Sequence, residues 1–434
     1  MRQLSSLNSV QEFISQIKKE LEKRDLPVGE LFERCFKSTL DTTVQMKEDG
    51  SVFIVTGDIP AMWLRDSSCQ VKPYLCLAGR EPQIADMIAG VILRQISCIL
   101  IDPYANAFNE TANGNGWQTD LTKMHPHIWE RKYEIDSLCF PMELSYLYWK
   151  NTGRTDIFTD EFLQAARSIV TVFRTEQDHE NSSDYLFERR DCIYTDTLSR
   201  NGKGALVKPH TGLIWSGFRP SDDSCVYGYL IPSNMFAAVI LEYISQIARE
   251  IYKDFEFAEE AAAFSKSVRE AVTQHAVIPM DEKRFDKPFY AYEVDGYGEY
   301  LIMDDANLPS LLAMPHFGYC DADDELYLNT KEMMLGEANP YYFSGKYAAG
   351  IGSPHTREDY VWHLSMGVQG LTAAGDQEKR HYIECMAATD GGTGWMHESL
   401  HVNDPAKFTR ENFLWANAIF AELVMDYCGY KIKK

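Results

Sequence analysis

The chain of 434 residues carries 42 Lys and Arg against 64 Asp and Glu, so its formal charge is −22. That charge repels phosphate backbones and anionic membrane surfaces, and a nucleic-acid or membrane partner is therefore not expected. With 45% hydrophobic and 24% charged residues, the composition excludes a disordered chain and provides material for an extended core.

Residues 1–24 mix polar and charged side chains with apolar ones at helical spacing, and they contain no apolar run of signal-peptide length. No later stretch is typical of a membrane span. The ten cysteines are dispersed and form no CxxC pair, as is typical of thiols in a reducing cytoplasm. We therefore expect a cytoplasmic protein and, because no linker-like segment divides it, a single domain over 1–434.

Helical apolar periodicity dominates the chain and comes in pairs of segments. The predicted pairs are 68–79 with 81–101, 137–151 with 158–178, 233–252 with 255–275, 305–314 with 323–336, and 358–374 with 377–389. The last segment, 410–429, needs a partner, which a helix near 8–24 can supply. Six such hairpins predict an all-α fold, an (α/α)6 barrel, because no short repeat supports an open solenoid.

Strand-like sequence is confined to short pieces, which predict β decorations in loops. One piece runs from Cys192 to Thr197, and another has Asp295 and Gly296 between two alternating runs, as in a tight hairpin. The loops with unusual composition each precede one member of a helix pair. A ring of hairpins therefore brings these loops to one rim, where exposed amide groups favour polar ligands.

The first such loop is GDIPAMWLRDSS, residues 57–68, which places an indole, a guanidinium and a carboxylate side by side. Trp63 offers a flat apolar face to a sugar ring, while Arg65 and Asp66 provide a donor fork and an acceptor for vicinal hydroxyls. The alternative is a core tryptophan next to a local ion pair, with Asp66 capping the following helix.

The loop HTGLIWSGFRPSDDS carries the adjacent carboxylates Asp222 and Asp223 among aromatic residues. Adjacent carboxylates raise each other's proton affinity and aromatic surroundings add desolvation, so one of the two can stay protonated near neutrality as a general acid. The alternative is that both carboxylates cap the next helix or are solvated in a turn.

The segment from Asp390 to His401, DGGTGWMHESLH, ends in HExxH, the motif in which two histidines ligate zinc and the glutamate activates water. The histidines share a face only inside a regular helix, but three glycines precede them and a proline follows. We therefore favour Glu398 as a carboxylate on a rim loop that faces the Asp222 loop. A zinc hydrolase built on His397, Glu398 and His401 is the alternative.

Two carboxylates from distant parts of the chain, meeting over an aromatic cavity, are typical of a glycosidase. One protonates the departing oxygen, and the other acts on the anomeric carbon directly or through water. In a wide helical cup we expect a separation of roughly 6.5–9.5 Å, which leaves space for a water and implies inversion. A noncatalytic sugar-binding barrel is a third possibility.

Five motifs in one order resemble glycoside hydrolase family 125, and the match covers nearly the whole chain: GDIPAMWLRDS, WERKYEIDSLCFPM, GFRPSDDS, GSPHTREDYVWH and GGTGWMHES. The resemblance implies an (α/α)6 fold and an inverting, exo-acting α-mannosidase that needs no metal or other cofactor. Its implied substrates are oligosaccharides, such as N-glycan fragments, that end in α-1,6-linked mannose. The oligomeric state is not indicated.

The resemblance also implies roles for individual residues. It assigns the acid to the doublet of GFRPSDDS and the base to Glu398; we choose Asp222 as the acid and assign Asp223 to sugar binding or to tuning its neighbour. Arg65 and Asp66 are expected to bind hydroxyls of the terminal sugar. Further sugar neighbours implied in this way are Asp136, Ser137, Arg219, His355 and His397.

Overall fold

The computed structural model describes residues 4–281 and 284–434. Its helices are α1 (Asn8–Lys23), α2 (Gly29–Thr42), α3 (Leu64–Val71), α4 (Leu75–Ala78), α5 (Pro82–Ile101), α6 (Ile135–Thr152), α7 (Asp160–Glu176), α8 (His179–Ser182), α9 (Ser199–Gly202), α10 (Ile231–Ile247), α11 (Phe255–Ala276), α12 (Glu325–Met334), α13 (His363–Leu371), α14 (Asp376–Ala388) and α15 (Leu414–Tyr427).

The strands are short. They are β1 (Val44–Met46), β2 (Val52–Ile54), β3 (Met62–Trp63), β4 (Ala107–Phe108), β5 (Ile128–Glu130), β6 (Tyr229–Leu230), β7 (Val277–Ile278), β8 (Phe289–Tyr290), β9 (Glu293–Val294), β10 (Tyr300–Leu301), β11 (Tyr342–Ser344), β12 (Ala349–Ile351), β13 (Tyr360–Val361), β14 (Ser399–His401) and β15 (Asp404–Thr409). They pair antiparallel in three-stranded sheets ordered β3-β4-β5, β10-β9-β6 and β13-β14-β15, and in three two-stranded pairs.

The inner ring of the barrel is built by α3, α6, α10, α13 and α15. Helix α6 packs between α3 and α10, and α15 packs between α13 and α3. Consecutive turns over residues 310–318 fill the interval between α10 and α13, and Phe317 in these turns packs on Phe236 of α10 with ring centroids 5.3 Å apart. The ring is thus closed, which confirms the predicted (α/α)6 barrel.

The predicted helix over 305–314 is wrong, because those residues form turns instead. Pro309 lies inside the segment and Pro315 directly follows it, and proline lacks the N–H that a helix interior requires. The buried carboxylate of Asp304 accepts the backbone N–H groups of Leu311 and Leu312, which satisfies donors that a helix would otherwise have to pair.

The partner of the last helix also differs from the prediction. Helix α15 packs against α2, which was not predicted, and α1 packs on α2. The thiol of Cys35 on α2 donates to Oδ1 of Asn417 on α15 at 3.3 Å, and both residues are buried. The N-terminal segment therefore contributes two helices to the outer layer rather than one.

Two predicted β pieces have different outcomes. The segment around Cys192 contains a 3-10 helix, Tyr194–Asp196, in place of a strand, because the Asp196 carboxylate pairs with Lys132 and Arg189. Strands β9 and β10 form the predicted hairpin, but five residues connect them. Oδ1 of Asp295 accepts three successive backbone N–H groups in this connection, which makes it wider than a two-residue turn.

The outer helix α5 is 20 residues long and strongly apolar. By length and composition it could cross a membrane, but 67% of that apolar window is buried inside the protein, where α5 packs against α4, α6 and α7. Packing in the protein core therefore explains why α5 is apolar.

Candidate active site

A cavity opens at the end of the barrel where the inner helices begin. Its lining comes from the segments around the starts of α3, α13 and α15 and from the loops that precede β6 and β14. The lining residues are Thr56, Ile59, Trp63, Arg65, Asp66, Pro220, Ser221, Asp222, Asn307, His355, Trp362, Glu398, Arg410, Phe413 and Trp415. Six residues predicted from the sequence are among them: Trp63, Arg65, Asp66, Asp222, His355 and Glu398.

Arg65 forms the buried floor of the cavity. Its Nη1 donates to Oε2 of Glu134 at 2.8 Å and to Oδ2 of Asp136 at 3.1 Å, and its Nε lies 3.5 Å from Oδ2 of Asp66. Burial raises the pKa of Asp66, although the neighbouring Arg65 opposes that shift. The ion pair that the sequence offered as an alternative is therefore present. The contacts of Arg65 also join α3 to the start of α6, and Asp66 still lines the cavity.

Trp63 packs in the core and also lines the cavity. It ends β3 and packs with Ala61 and Ala107 in a small apolar cluster, so it is only 6% exposed. The exposed part of its side chain lines the cavity. On the opposite side, Trp415 at the start of α15 stands 5.5 Å from the Arg65 guanidinium carbon, measured to the ring centroid.

Asp222 enters the cavity from a strained loop. Its φ is +69°, a left-handed value that non-glycine residues rarely adopt. The loop is held because Nζ of Lys132 donates to the Asp222 carbonyl oxygen at 2.8 Å and the Asp222 N–H donates to the Arg219 carbonyl at 2.9 Å. Nδ2 of Asn106 donates to Oδ1 of the Asp222 carboxylate at 3.3 Å.

The pKa values of Asp222 and Glu134 are shifted in opposite directions. Burial alone would raise the pKa of Asp222, but Lys132, Arg65 and His355 together hold it below its ordinary value. Burial raises the pKa of Glu134 well above its ordinary value, and the nearby carboxylates add to the shift. The two carboxyl groups are close enough that each affects the pKa of the other.

Asp223 lies behind Asp222 and outside the cavity lining. Its Oδ2 accepts from Oγ of Ser221 at 3.0 Å and lies 3.6 Å from Nδ1 of His355. His355 lines the cavity, so Asp223 reaches the site through this imidazole. The two members of the doublet therefore have different surroundings, which the sequence alone left open.

Glu398 is 8% exposed and lies immediately before β14. Nη1 of Arg410, which follows β15, donates to its Oε1 at 3.4 Å, and the same guanidinium pairs with Asp58 on the far side of the cavity mouth. The turn between β14 and β15 thus brings the cation back beside the carboxylate. Asp222 and Glu398, 176 positions apart in the sequence, line one cavity.

The chain matches the model of glycoside hydrolase family 125, the metal-independent alpha-mannosidases, over residues 25–425. The chain belongs to this family. It is 39% identical to the meiotically up-regulated gene 157 protein of Schizosaccharomyces pombe, with 96% of this chain and 85% of the relative covered.

Solved structures agree with the family. A metal-independent alpha mannosidase of Streptococcus pneumoniae, in a non-productive complex with α-1,6-mannobiose, is 44% identical, with 98% of this chain and 99% of that chain covered and a TM-score of 0.95. A bacterial glucoamylase in complex with acarbose shares 11% identity over 98% of this chain and 58% of that chain, with a TM-score of 0.61, which shows a common fold.

The zinc alternative conflicts with the geometry of this family 125 chain. The HExxH residues run into β14 rather than lying inside a helix, because Gly391, Gly392 and Gly394 have left-handed φ values between +60° and +76°. The ring nitrogens of His397 face the carbonyl oxygens of Glu411 and Asp390, at 2.7 and 2.9 Å. His397 and His401 therefore do not share a ligating face.

Several predicted sugar neighbours of this glycoside hydrolase do not line the cavity. Arg219 turns away because its Nε donates to Oε1 of Glu293 at 2.6 Å, and His397 is fully buried and stacked on Phe408. Asp136 and Ser137 lie one layer below the lining, where they bind Arg65 and Glu134. Arg219 and His397 therefore do not line this cavity, and a role for them in sugar binding stays a prediction.

The sequence reasoning missed several residues of the site. Glu134 lies in the motif YEIDS beside the predicted Asp136, so its position next to a singled-out residue was the available signal. Lys132 and Asn106 act on the Asp222 loop from the β4–β5 region. Lys132 lies in the quoted motif WERKYEIDSLCFPM, whereas Asn106 lies in no quoted motif. Arg410 follows a strand that was not predicted.

Proposed function

We propose that the chain is an inverting, exo-acting α-mannosidase that releases terminal α-1,6-linked mannose from oligosaccharides such as N-glycan fragments. One observation carries the proposal: two carboxylates from distant loops, Asp222 and Glu398, line the same small cavity together with indoles and an Arg–Asp pair. The similar Streptococcus pneumoniae structure, which holds α-1,6-mannobiose, supports the choice of sugar and linkage.

The two carboxylates have distinct proposed roles. Asp222 acts as the general acid and protonates the glycosidic oxygen, and Glu398 acts as the general base and takes a proton from the attacking water. Nη1 of Arg410, 3.4 Å from Oε1 of Glu398, holds this carboxylate in place at the cavity. Lys132, Arg65 and His355 around Asp222 stabilise the carboxylate that remains after the acid has given its proton away.

Exo action follows from the shape of the cavity. Arg65, Asp66 and the layer beneath them close the cavity toward the barrel core, so a chain of sugars cannot pass through. Asp66 accepts from hydroxyls of the terminal sugar, and the faces of Trp63 and Trp415 contact its apolar side. The rest of the oligosaccharide then extends toward solvent from the acid.

The test is release of free mannose from α-1,6-mannobiose, with the α-1,2 and α-1,3 isomers as comparison substrates and a chelator present throughout. We expect the α-1,6 isomer to be cleaved fastest, and proton NMR to show β-mannose as the first product. First appearance of the α-anomer would mean retention and would exclude the water-mediated role of Glu398.

Two variants separate catalysis from sugar binding alone. Asp222→Asn and Glu398→Gln should each lower kcat by about 10²–10⁴-fold, since both groups transfer protons, while mannose still binds. A wild-type protein that binds mannobiose but releases no mannose would instead identify a sugar-binding barrel.

We also propose a cytoplasmic location. All ten cysteines are free thiols, and most of them are buried or half-buried with no disulfide partner among the described residues. Cell fractionation with antibodies against the chain tests this, and recovery in a secreted fraction would contradict it.

A further inference from the structure

We propose that Glu134 is a positioning residue that stores the proton of the general acid and passes it to Asp222 when the substrate binds. This inference rests on the proposed function, because it takes Asp222 as the acid. Glu134 does not line the cavity, so it acts through its neighbour rather than on the sugar.

The two carboxyl oxygens of Glu134 have different surroundings. Oε2 accepts from Nη1 of Arg65 at 2.8 Å and from Oγ of Ser137 at 2.7 Å. Oε1 is buried, and no donor within the described parts of the chain reaches it. An ionised carboxylate with one such orphaned oxygen is costly in the interior, whereas a protonated oxygen at that position acts as a donor itself.

The acceptor available to such a donor is Asp222. The Glu134 and Asp222 carboxyl groups are close enough to perturb each other, and two acceptor-only carboxylates can form a hydrogen bond only with a proton between them. The pair therefore holds one proton, as neighbouring carboxyl groups do when both cannot ionise. The charged groups that face the pair are Arg65, Asp66, Lys132, Asp136 and His355.

The surroundings determine which member carries the proton in the resting enzyme. Three cations, Lys132, Arg65 and His355, lower the pKa of Asp222, and Asn106 donates to its carboxylate. Burial raises the pKa of Glu134 well above its ordinary value. The orphaned Oε1 of Glu134 and the bond from Asn106 to the Asp222 carboxylate therefore both favour a resting proton on Glu134.

The proton balance of one turnover then follows. As the glycosidic oxygen approaches, Glu134 gives its proton to Asp222, and Asp222 gives a proton to that oxygen. The bond between the anomeric carbon and the oxygen breaks, with its electron pair going to the oxygen. Water adds to the carbon and loses a proton to Glu398. Afterwards Glu398 releases that proton to solvent, and the Glu134–Asp222 pair takes one back.

The decisive variant is Glu134→Gln, which has nearly the same shape. Its amide oxygen still accepts from Arg65 and Ser137, and its amide nitrogen still donates to Asp222, but it has no proton to transfer. For α-1,6-mannobiose, whose leaving group needs protonation, we expect kcat to fall about 100-fold. For α-mannosyl fluoride, which loses fluoride without an acid, kcat should stay close to the wild-type value.

The matched control is Glu176→Gln, which removes another fully buried carboxylate, one that pairs with His179 and does not line the cavity. Any loss of kcat caused by general destabilisation should be equal for the two substrates in this variant. Thermal unfolding of both variants confirms that each is folded at the assay temperature.

A second measurement does not depend on activity. The infrared difference spectrum between wild-type protein and Glu134→Gln at pH 7 should contain the carbonyl band of a protonated carboxylic acid. Absence of this band, or an equal loss of kcat on both substrates, would overturn the role of Glu134 while leaving the mannosidase proposal intact. A wild-type protein with the band but no release of mannose would instead contradict the proposed function.

Discussion

Nδ1 of His355 lies 3.6 Å from Oδ2 of Asp223, which joins the second member of the aspartate doublet to the cavity lining. Burial alone would lower the pKa of His355, but Asp223, followed by Asp222 and Glu398, outweighs burial and raises the pKa to about 9. The imidazole is therefore a cation at neutral pH, placed among three carboxylates.

This relationship predicts a histidine titration far from the ordinary value. A histidine NMR signal that is absent in His355→Gln should titrate with a pKa of about 9 in the wild-type protein. Because the folded-state pKa is raised, its contribution to stability is present in full below the unfolded value of about 6.5 and is lost as pH rises through 9. In Asp223→Asn the titration should move to lower pH; an unmoved titration would exclude Asp223 as its cause.

The two aspartates of the doublet predict unequal losses of activity. Asp222 lines the cavity, whereas Asp223 acts through Ser221 and His355. With α-1,6-mannobiose, Asp222→Asn should lower kcat by about 10²–10⁴-fold, and Asp223→Asn should lower it less. The reverse order would transfer the role of general acid to Asp223.

The barrel was predictable because its signal is periodic and repeated. Apolar spacing marks five of the six inner elements, and the closed ring follows from the number of hairpins. There are two exceptions: turns over 310–318, a segment that contains Pro315 and follows Pro309, replace a helix, and α2 was not predicted, so α1 was expected to be the partner of the last helix. Tertiary contacts such as Cys35 with Asn417 select the true partner of α15, and periodicity does not contain that information.

The site was predictable where one loop carries several unusual residues in a row. The segment from Trp63 to Asp66 and the Asp222 loop both supply lining residues, as does Glu398. Side-chain direction was not predictable: Arg219 lies three positions from Asp222 yet pairs with Glu293. Arg219 pairs with an opposite charge that is near it in space. That partner, Glu293, lies 74 positions away in the sequence.

The buried environment of His397 predicts a difference between the two histidines of HExxH. His397 contacts two backbone carbonyls through its ring nitrogens, so His397→Gln should lower the free energy of unfolding by about 1–3 kcal/mol. His401 is partly exposed and accepts the Asn403 N–H at 3.0 Å, so His401→Gln should keep kcat and stability near wild type. Chemical denaturation and kcat on mannobiose measure both; loss of activity in His401→Gln would reopen the zinc alternative.

Helices α13 and α15 approach each other so closely that there is no room for an added methyl group at Gly367. A Cβ added to Gly367 on α13 would lie 2.1 Å from Cγ2 of Ile419 on α15, far inside van der Waals contact. Because both helices belong to the inner ring, neither can shift without disturbing its other neighbours. Gly367→Ala should therefore lower the free energy of unfolding by about 1–3 kcal/mol.

Gly336→Ala is the matched control for this substitution. The nearest atom to a new Cβ at Gly336 is a backbone oxygen at 3.4 Å, an ordinary contact, so the change in unfolding free energy should stay within about 0.5 kcal/mol. Glycine and alanine differ in backbone entropy at both positions, but alanine gains helix propensity only at Gly367, so the difference between the two variants is a lower limit on the cost of the helix contact. Because Trp415 and Phe413 line the cavity from the start of α15, Gly367→Ala should also raise KM for mannobiose, whereas Gly336→Ala should not. Equal unfolding midpoints for the two variants would mean that the α13–α15 interface can open without cost.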